Sequence, residues 1–165
     1  MSWLNLGSGP YPAAPPWINV DHEAQANVKA DVRFLPFPDD CAERVYMGHL
    51  LEHLPLVDVR TVLFEARRVL EPGGELMVVG PDVDRALALA TNGDRLEDGT
   101  TVLQVLIGSR ERPGMYHQWA CHESRLMDMV QSVFEWAEAI PIKEVKSPWP
   151  LVSDVGWQCA VKAIR

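Results

Sequence analysis

The sequence has few cysteines, no long apolar run and fewer basic than acidic residues, and each shortage excludes a class of protein. The 165 residues include three cysteines, an odd number without paired spacing. A disulfide-rich miniprotein is therefore excluded, and free thiols are predicted. No window of about 18 uncharged apolar residues occurs, so neither a membrane-spanning segment nor a membrane partner is predicted.

The charge and the length of the chain further limit the kinds of protein that it can be. The chain carries 15 basic and 23 acidic residues, and its formal net charge is -8 at pH 7. A net acidic surface repels phosphate backbones, so no nucleic-acid partner is predicted. No charged and apolar leader opens the chain, and we expect the protein in the cytosol. The length predicts a single domain over residues 1–165.

Apolar segments that alternate with helical patterns predict an α/β fold, with a mainly parallel sheet and helices on both faces. The predicted strands are Ser2–Leu6, Trp17–Val20, Val28–Val32, Arg44–Met47, Glu75–Val79, Trp136–Val145 and Trp157–Ile164. The predicted helices are Asp58–Leu70, Asp82–Ala90, Thr101–Ile107 and a segment from Leu126 to Phe134. Four prolines between residues 10 and 16 exclude a regular helix there, so the first helix is shortened or missing.

A glycine loop follows the first predicted strand. Glycines at positions 7 and 9 allow a sharp turn and let a ligand approach the main chain. A dinucleotide fingerprint needs a third glycine where Pro12 stands, and a helix start to hold the pyrophosphate. The loop therefore suits a ligand without a diphosphate, and a plain tight turn is the alternative interpretation.

Acidic residues follow the second and third predicted strands. Asp21 stands where a carboxylate commonly accepts hydrogen bonds from both hydroxyls of a ribose. Asp31, before Val32, stands where a carboxylate can accept a hydrogen bond from an exocyclic amine such as that of adenine. For each aspartate the alternative is an ordinary turn residue.

Two histidines follow the fourth predicted strand, at the spacing of successive helical turns. A zinc protease motif would need a glutamate directly after His49, and Leu50 stands there instead. We therefore predict no metal site. Substrate contact or helix capping is favoured for His49 and His53.

These features occur together in one order along the chain. The segments are "LNLGSG", "WINVD", "ADVRFLPFPDD", "VYMGHLLEHLP" and "ARRVLEPGGELMVVGPD". With them the chain resembles the class I S-adenosylmethionine-dependent methyltransferases, and within these a small type 11-like group. The resemblance covers Leu4 to about Asp82. It implies a Rossmann-like sheet with an antiparallel last strand, and S-adenosylmethionine as cofactor.

The resemblance also implies a role for each matching residue. Three residues are expected to hold the methionine part of the cofactor: Gly7, Ser8 and Gly9. The residues expected at the ribose and the adenine are Asp21, His22, Asp31 and Val32. Those expected near the sulfonium are Met47, Gly48 and His49. Asn5 departs from the family, which often has an acidic residue there, so one contact to the cofactor ammonium is in doubt.

The implied reaction moves a methyl group from a sulfonium to an electron-rich acceptor atom. If that atom is a hydroxyl oxygen, a base must take its proton. We predict His49 and His117 as catalytic, with His53 as a further candidate, because imidazole titrates near neutral pH.

Residues 91–120 are expected to be an insertion on the acceptor side. Its apolar residues suit a small-molecule or glycan acceptor, and the candidates for the pocket wall are Met115, Tyr116, Trp119, Trp149 and Trp157. The sequence predicts no oligomeric state.

Two alternatives stay open. The same fold can bind S-adenosylmethionine without catalysis, as a regulatory or assembly protein. A nicotinamide-dependent oxidoreductase is the second alternative, and Pro12 together with the missing first helix disfavours it.

Overall fold

The computed structural model describes residues 2–10, 12–22, 26–90, 94–109, 114–148 and 155–165. One seven-stranded sheet forms its centre, in the order β3-β2-β1-β4-β5-β7-β6. The strands are β1 (Ser2–Leu6), β2 (Trp17–Asp21), β3 (Val28–Lys29), β4 (Ala42–Gly48), β5 (Leu70–Pro81), β6 (Trp136–Ile140) and β7 (Gln158–Ile164).

Four helices connect the described strands from β4 onward. They are α1 (Leu56–Val69), α2 (Val83–Leu89), α3 (Val102–Ile107) and α4 (Glu123–Gln131), and two 3-10 turns cover Leu51–His53 and Ile142–Glu144. No helix in the described ranges is both long and apolar enough to cross a membrane.

The predicted fold class is confirmed. Strands β1 to β5 pair in parallel. Strand β7 runs antiparallel to both β5 and β6. Because the carboxyl ends of parallel strands share one edge, the loops after β1, β2, β3, β4 and β5 all meet at that edge.

The main core lies between the sheet and the helices α1 and α4. Leu63 and Val130 are fully buried there against Val45 and Met47 of β4. On the opposite face, the alternating residue Tyr46 packs with Met77, Val79, Ala160 and Ile142. The sequence predicted helices on both faces. In the described part of the chain, the 3-10 turn Ile142–Glu144 contributes to this second face instead, since the short connections after β1 and β2 hold no described helix.

Several element limits differ from the predicted ones. The third strand ends at Lys29 rather than Val32, and the sixth ends at Ile140 because Pro141 opens a 3-10 turn. Pro72, Gly73 and Gly74 were predicted to separate a helix from a strand, yet they lie within β5. The backbone N–H of Gly73 donates to the carbonyl of Arg165, which ties this segment to the end of the chain.

A smaller cluster lies at the carboxyl edge of the sheet. Ala86 of α2, Val105 of α3 and Leu96 pack together, with Trp157 against them. A capping box at Thr101 and Gln104 begins α3. This cluster includes part of the segment 91–120, and the acceptor-side insertion stays a prediction.

Candidate functional site

The glycine loop joins the ends of β1 and β2. The Gly7 N–H donates to the Val20 carbonyl at 2.8 Å, and the Gly9 N–H donates to Asp21 Oδ2 at 2.8 Å. Both glycines have positive φ angles, +70° and +58°. A Cβ at Gly7 would lie 2.6 Å from Leu50 Cδ1, whereas nothing lies within 4 Å of a Cβ at Gly9. Open space beside Gly9 allows a ligand to reach the main chain.

Asp21 is buried at the end of β2, with 6 % of its surface exposed. One carboxylate oxygen accepts the hydrogen bond from Gly9, and the other lies 3.4 Å from Nδ1 of the exposed His22. The structure therefore brings together three of the residues predicted to bind a cofactor.

Buried polar atoms beside this loop lack hydrogen-bond partners. Asn5 Oδ1 and Ser8 Oγ have none among the described residues, although Asn5 Nδ2 donates to Asn19 Oδ1 at 2.9 Å. Buried polar groups are almost always paired. The two orphaned atoms, together with the space beside Gly9, fit a polar ligand group at the end of β1, such as the amino acid part of S-adenosylmethionine.

Asp31 lies at the same edge of the sheet, after β3. Its carboxylate pairs with Arg33 at 2.7 Å, and Arg33 also contacts Asp58 at 2.9 Å. The hydrogen bond from Arg33 lowers the pKa of Asp31. Val32 is buried. The adenine contact of these two residues stays a prediction.

The end of β4 places His49 in an unusual backbone conformation. Met47 and Gly48 are buried, and His49 follows them with a φ of +51°. A non-glycine residue in this region costs of the order of 1–3 kcal/mol and is most common at functional sites. The His49 N–H donates to the Val79 carbonyl at 2.9 Å, which holds the residue at the end of β5 as well.

Both ring nitrogens of His49 have side-chain partners. Nδ1 lies 3.0 Å from Oε1 of Glu52, and Nε2 lies 2.8 Å from Nε2 of Gln158. A carboxylate only accepts, so Nδ1 carries the proton, and Nε2 accepts from the Gln158 amide. The buried Gln158 Oε1 has no partner among the described residues.

Glu52 is the buried charge of the site, with 1 % of its surface exposed. Burial alone opposes ionisation of its carboxyl group. The hydrogen bond from His49 and the electrostatic effect of the His49 and His53 rings outweigh that effect, so the pKa of Glu52 is lowered. A carboxylate at this position can therefore orient the His49 ring.

A cavity of about 230 Å³ opens beside His49. Its lining comes from the end of β4, the end of β5, α3 and the residue before β7, and includes His49, His53, Pro81, Gln104, Val105, Met115, His117 and Trp157. Trp157 stands edge-on to His49, with ring centroids 5.9 Å apart. Asp98 accepts a hydrogen bond from Trp157 Nε1 at 2.9 Å, which fixes this wall of the cavity.

The predicted aromatic wall is partly wrong. Met115 and Trp157 line the cavity, but Trp119 lies in the main core, with its Nε1 donating to the Leu54 carbonyl at 3.2 Å. Tyr116 is half-exposed and does not line it. Trp149 lies outside the described residues.

Sequence reasoning gave no role to two members of the His49 network. In the sequence, Glu52 is only an acidic residue between two histidines. The structure shows that it is buried and hydrogen-bonded to His49. Gln158 carried no signal, because it reaches His49 across 109 positions of the chain.

Comparison with known proteins agrees with this geometry. A family model described as a methyltransferase domain matches residues 14–78. No curated protein matches the chain. The matched segment is thus similar to a methyltransferase domain, and the fold described next is shared with S-adenosylmethionine-dependent methyltransferases.

Solved structures of S-adenosylmethionine-dependent methyltransferases share the fold. The Thermotoga maritima protein is 16 % identical with a TM-score of 0.61, and the match covers 99 % of this chain and 81 % of that one. The Archaeoglobus fulgidus protein is 13 % identical with a TM-score of 0.62, and the match covers 99 % of this chain and 86 % of that one. The Mesorhizobium loti protein is 13 % identical with a TM-score of 0.60, and the match covers 99 % of this chain and 90 % of that one.

Proposed function

We propose that the chain methylates a hydroxyl of a small-molecule or glycan acceptor bound in the cavity beside His49. The observation that carries this proposal is the position of His49. Its ring is held by the buried Glu52 at the end of β4, and it lines a cavity next to the edge where the glycine loop and Asp21 meet. Ligands of open α/β sheets bind at that edge.

The proposed reaction is an in-line displacement at the methyl carbon. The bond from sulfur to the methyl carbon breaks, a bond from the acceptor oxygen to that carbon forms, and the hydroxyl proton moves to a base. S-adenosylhomocysteine, a neutral thioether, leaves without needing an acid. Holding the two reactants in line supplies up to about 7–11 kcal/mol of the barrier reduction.

His49 is the proposed base. Because Nδ1 donates to Glu52, the lone pair of Nε2 points away from that carboxylate, and in this structure the Gln158 amide occupies it. An acceptor hydroxyl takes the place of that amide in the proposed complex. The orphaned Gln158 Oε1 then accepts a hydrogen bond from the acceptor or from protonated His49 after the amide rotates.

The cavity supports a small acceptor. Its volume of about 230 Å³ lies below the range of about 300–1,000 Å³ that is usual for ligand pockets. Trp157 and Met115 supply apolar walls that suit a sugar ring or a flat aromatic compound, while Gln104 and Ser109 supply polar groups at the rim. His117, predicted as catalytic, lines the same cavity, and its Nδ1 donates to the Val105 carbonyl at 3.0 Å.

The cofactor is proposed to lie along the predicted residues. The Gly7–Gly9 loop and the orphaned Ser8 hydroxyl would hold the methionine part, Asp21 the ribose, and Asp31 with Val32 the adenine. The resemblance to the type 11-like group supports this arrangement, and the family match over residues 14–78 includes Asp21, Asp31 and Val32.

The experiment is transfer of a labelled methyl group from S-adenosylmethionine to a panel of sugars and phenolic metabolites. We expect one acceptor class to be labelled, and we expect His49→Asn to lower the turnover about 100-fold or more. His122→Asn is the matched control, because His122 pairs with Ser124 outside the cavity. Binding of S-adenosylmethionine with no labelled product from any acceptor would favour the non-catalytic alternative.

A further inference from the structure

A second histidine-carboxylate cluster lies on the wall of the acceptor cavity. Ligand atoms of Glu52, His53 and His117 all lie within 4.8 Å of one another. His53 and His117 line the cavity, and their rings meet edge-on with centroids 4.9 Å apart. The Gln118 N–H donates to the Glu52 carbonyl at 2.7 Å and fixes the segment of His117 against the turn that carries the other two residues.

Both histidines are oriented as metal ligands usually are. His53 Nδ1 lies 3.0 Å from the Tyr116 carbonyl, and His117 Nδ1 lies 3.0 Å from the Val105 carbonyl. A carbonyl only accepts, so each Nδ1 carries the proton and each Nε2 keeps a lone pair. A metal-binding histidine nearly always donates its other N–H to a carbonyl or a carboxylate in this way.

We propose that Glu52, His53 and His117 bind a divalent cation of the zinc class, with an open coordination position facing the acceptor cavity. Two histidines and a glutamate form one of the known three-residue sets of catalytic zinc sites, in which the fourth position is left for water or substrate. Ligand atoms in such a tetrahedral site lie about 3.3 Å apart, given metal distances of about 2.0–2.1 Å. The ligand atoms, which lie within 4.8 Å of one another, must therefore approach to that distance when the cation binds.

The proposed cation would also help to position the acceptor in the cavity. An acceptor oxygen bound at the open position would be fixed a few ångströms from His49, because Glu52 contacts His49 and the cation site alike. The acceptor class narrows to compounds with an oxygen that binds a metal, such as vicinal diols or catechols. This part rests on the proposed methyl transfer, whereas the cation site itself does not.

Direct metal binding tests the site. Metal-stripped protein is titrated calorimetrically with Zn²⁺, and its bound metal is measured after dialysis. We expect about one Zn²⁺ per chain and a higher melting temperature, and we expect His53→Gln and His117→Asn each to weaken binding about tenfold or more. His122→Asn is the control with an unchanged affinity. Co²⁺ should give the visible absorption of a tetrahedral site in the wild-type protein and lose it in both variants.

Absence of stoichiometric Zn²⁺ binding, or an affinity that both variants leave unchanged, would overturn the cation site. Because His53 is only partly buried, His53→Gln keeps the test valid even if His117→Asn fails to fold. Calorimetry with S-adenosylhomocysteine on the same metal-stripped sample separates the two proposals. Normal binding of that compound without any Zn²⁺ binding rejects the cation site alone, and failure to bind it rejects the proposed methyl transfer.

Discussion

His49 and the buried Glu52 are joined by a hydrogen bond of 3.0 Å directly after β4. This one contact fixes which nitrogen of His49 carries the proton and which one faces Gln158. His49 has a positive φ angle, and the 3-10 turn Leu51–His53 that carries Glu52 begins two residues later.

Glu52→Gln is expected to lower the turnover of methyl transfer by about tenfold or more, because a neutral amide holds the His49 ring but no longer stabilises its protonated form. Affinity for S-adenosylhomocysteine should stay unchanged. The measurement is the turnover number with the labelled acceptor, alongside calorimetry of the cofactor product. A variant with full turnover would show that Glu52 does not act on His49.

Asp21→Ala should weaken S-adenosylhomocysteine binding by about 1.5–3 kcal/mol, because charge-assisted hydrogen bonds to the ribose are lost. The same substitution removes the acceptor for the Gly9 N–H and loosens the loop. Asp128→Ala, at an exposed position of α4, is the control. Equal dissociation constants for the two variants would contradict the ribose contact.

Gly7→Ala should destabilise the fold for two separable reasons. The positive φ angle costs an alanine about 1–2 kcal/mol, and its Cβ would also meet Leu50. Gly114→Ala carries the first cost alone, because its φ is +86° and nothing lies within 4 Å of its Cβ.

The double variant Gly7→Ala with Leu50→Ala isolates the second cost. Urea denaturation should show Gly7→Ala to be less stable than Gly114→Ala. It should also show that the loss from Gly7→Ala shrinks when Leu50 is already alanine. Equal losses in both backgrounds would exclude a clash with Leu50.

The free energy of unfolding should fall in acid, and protonation of Glu65 should account for part of that loss. The hydrogen bond from Arg68 lowers the pKa of Glu65 in the folded protein. Its contribution is therefore fully present above the unfolded pKa of about 4.3 and is lost as the pH falls through the lower folded value. Glu65→Gln should reduce the loss of unfolding free energy between about pH 5 and pH 3. Glu135→Gln, at an exposed position, should leave that loss unchanged.

The local pattern of the sequence determined most of the fold. Strand β1 matches its prediction, β2 and α3 match within a residue, and the glycine loop with Asp21 lies at the predicted edge. These features depend on residues close together in the chain. The errors at Pro72, Gly73 and Pro141 arose because pairing with distant strands decides whether a proline or glycine ends an element or lies within it.

The sequence by itself determined the α/β class, the glycine loop, the acidic residue after β2 and the histidine after β4, because each depends on backbone sterics and hydrophobic periodicity within a few residues. Only the tertiary structure decided that Glu52 is buried, that Gln158 meets His49, that His117 meets His53, and that Trp119 belongs to the core. Contacts between distant segments depend on how the elements pack, and no spacing along the chain encodes that packing.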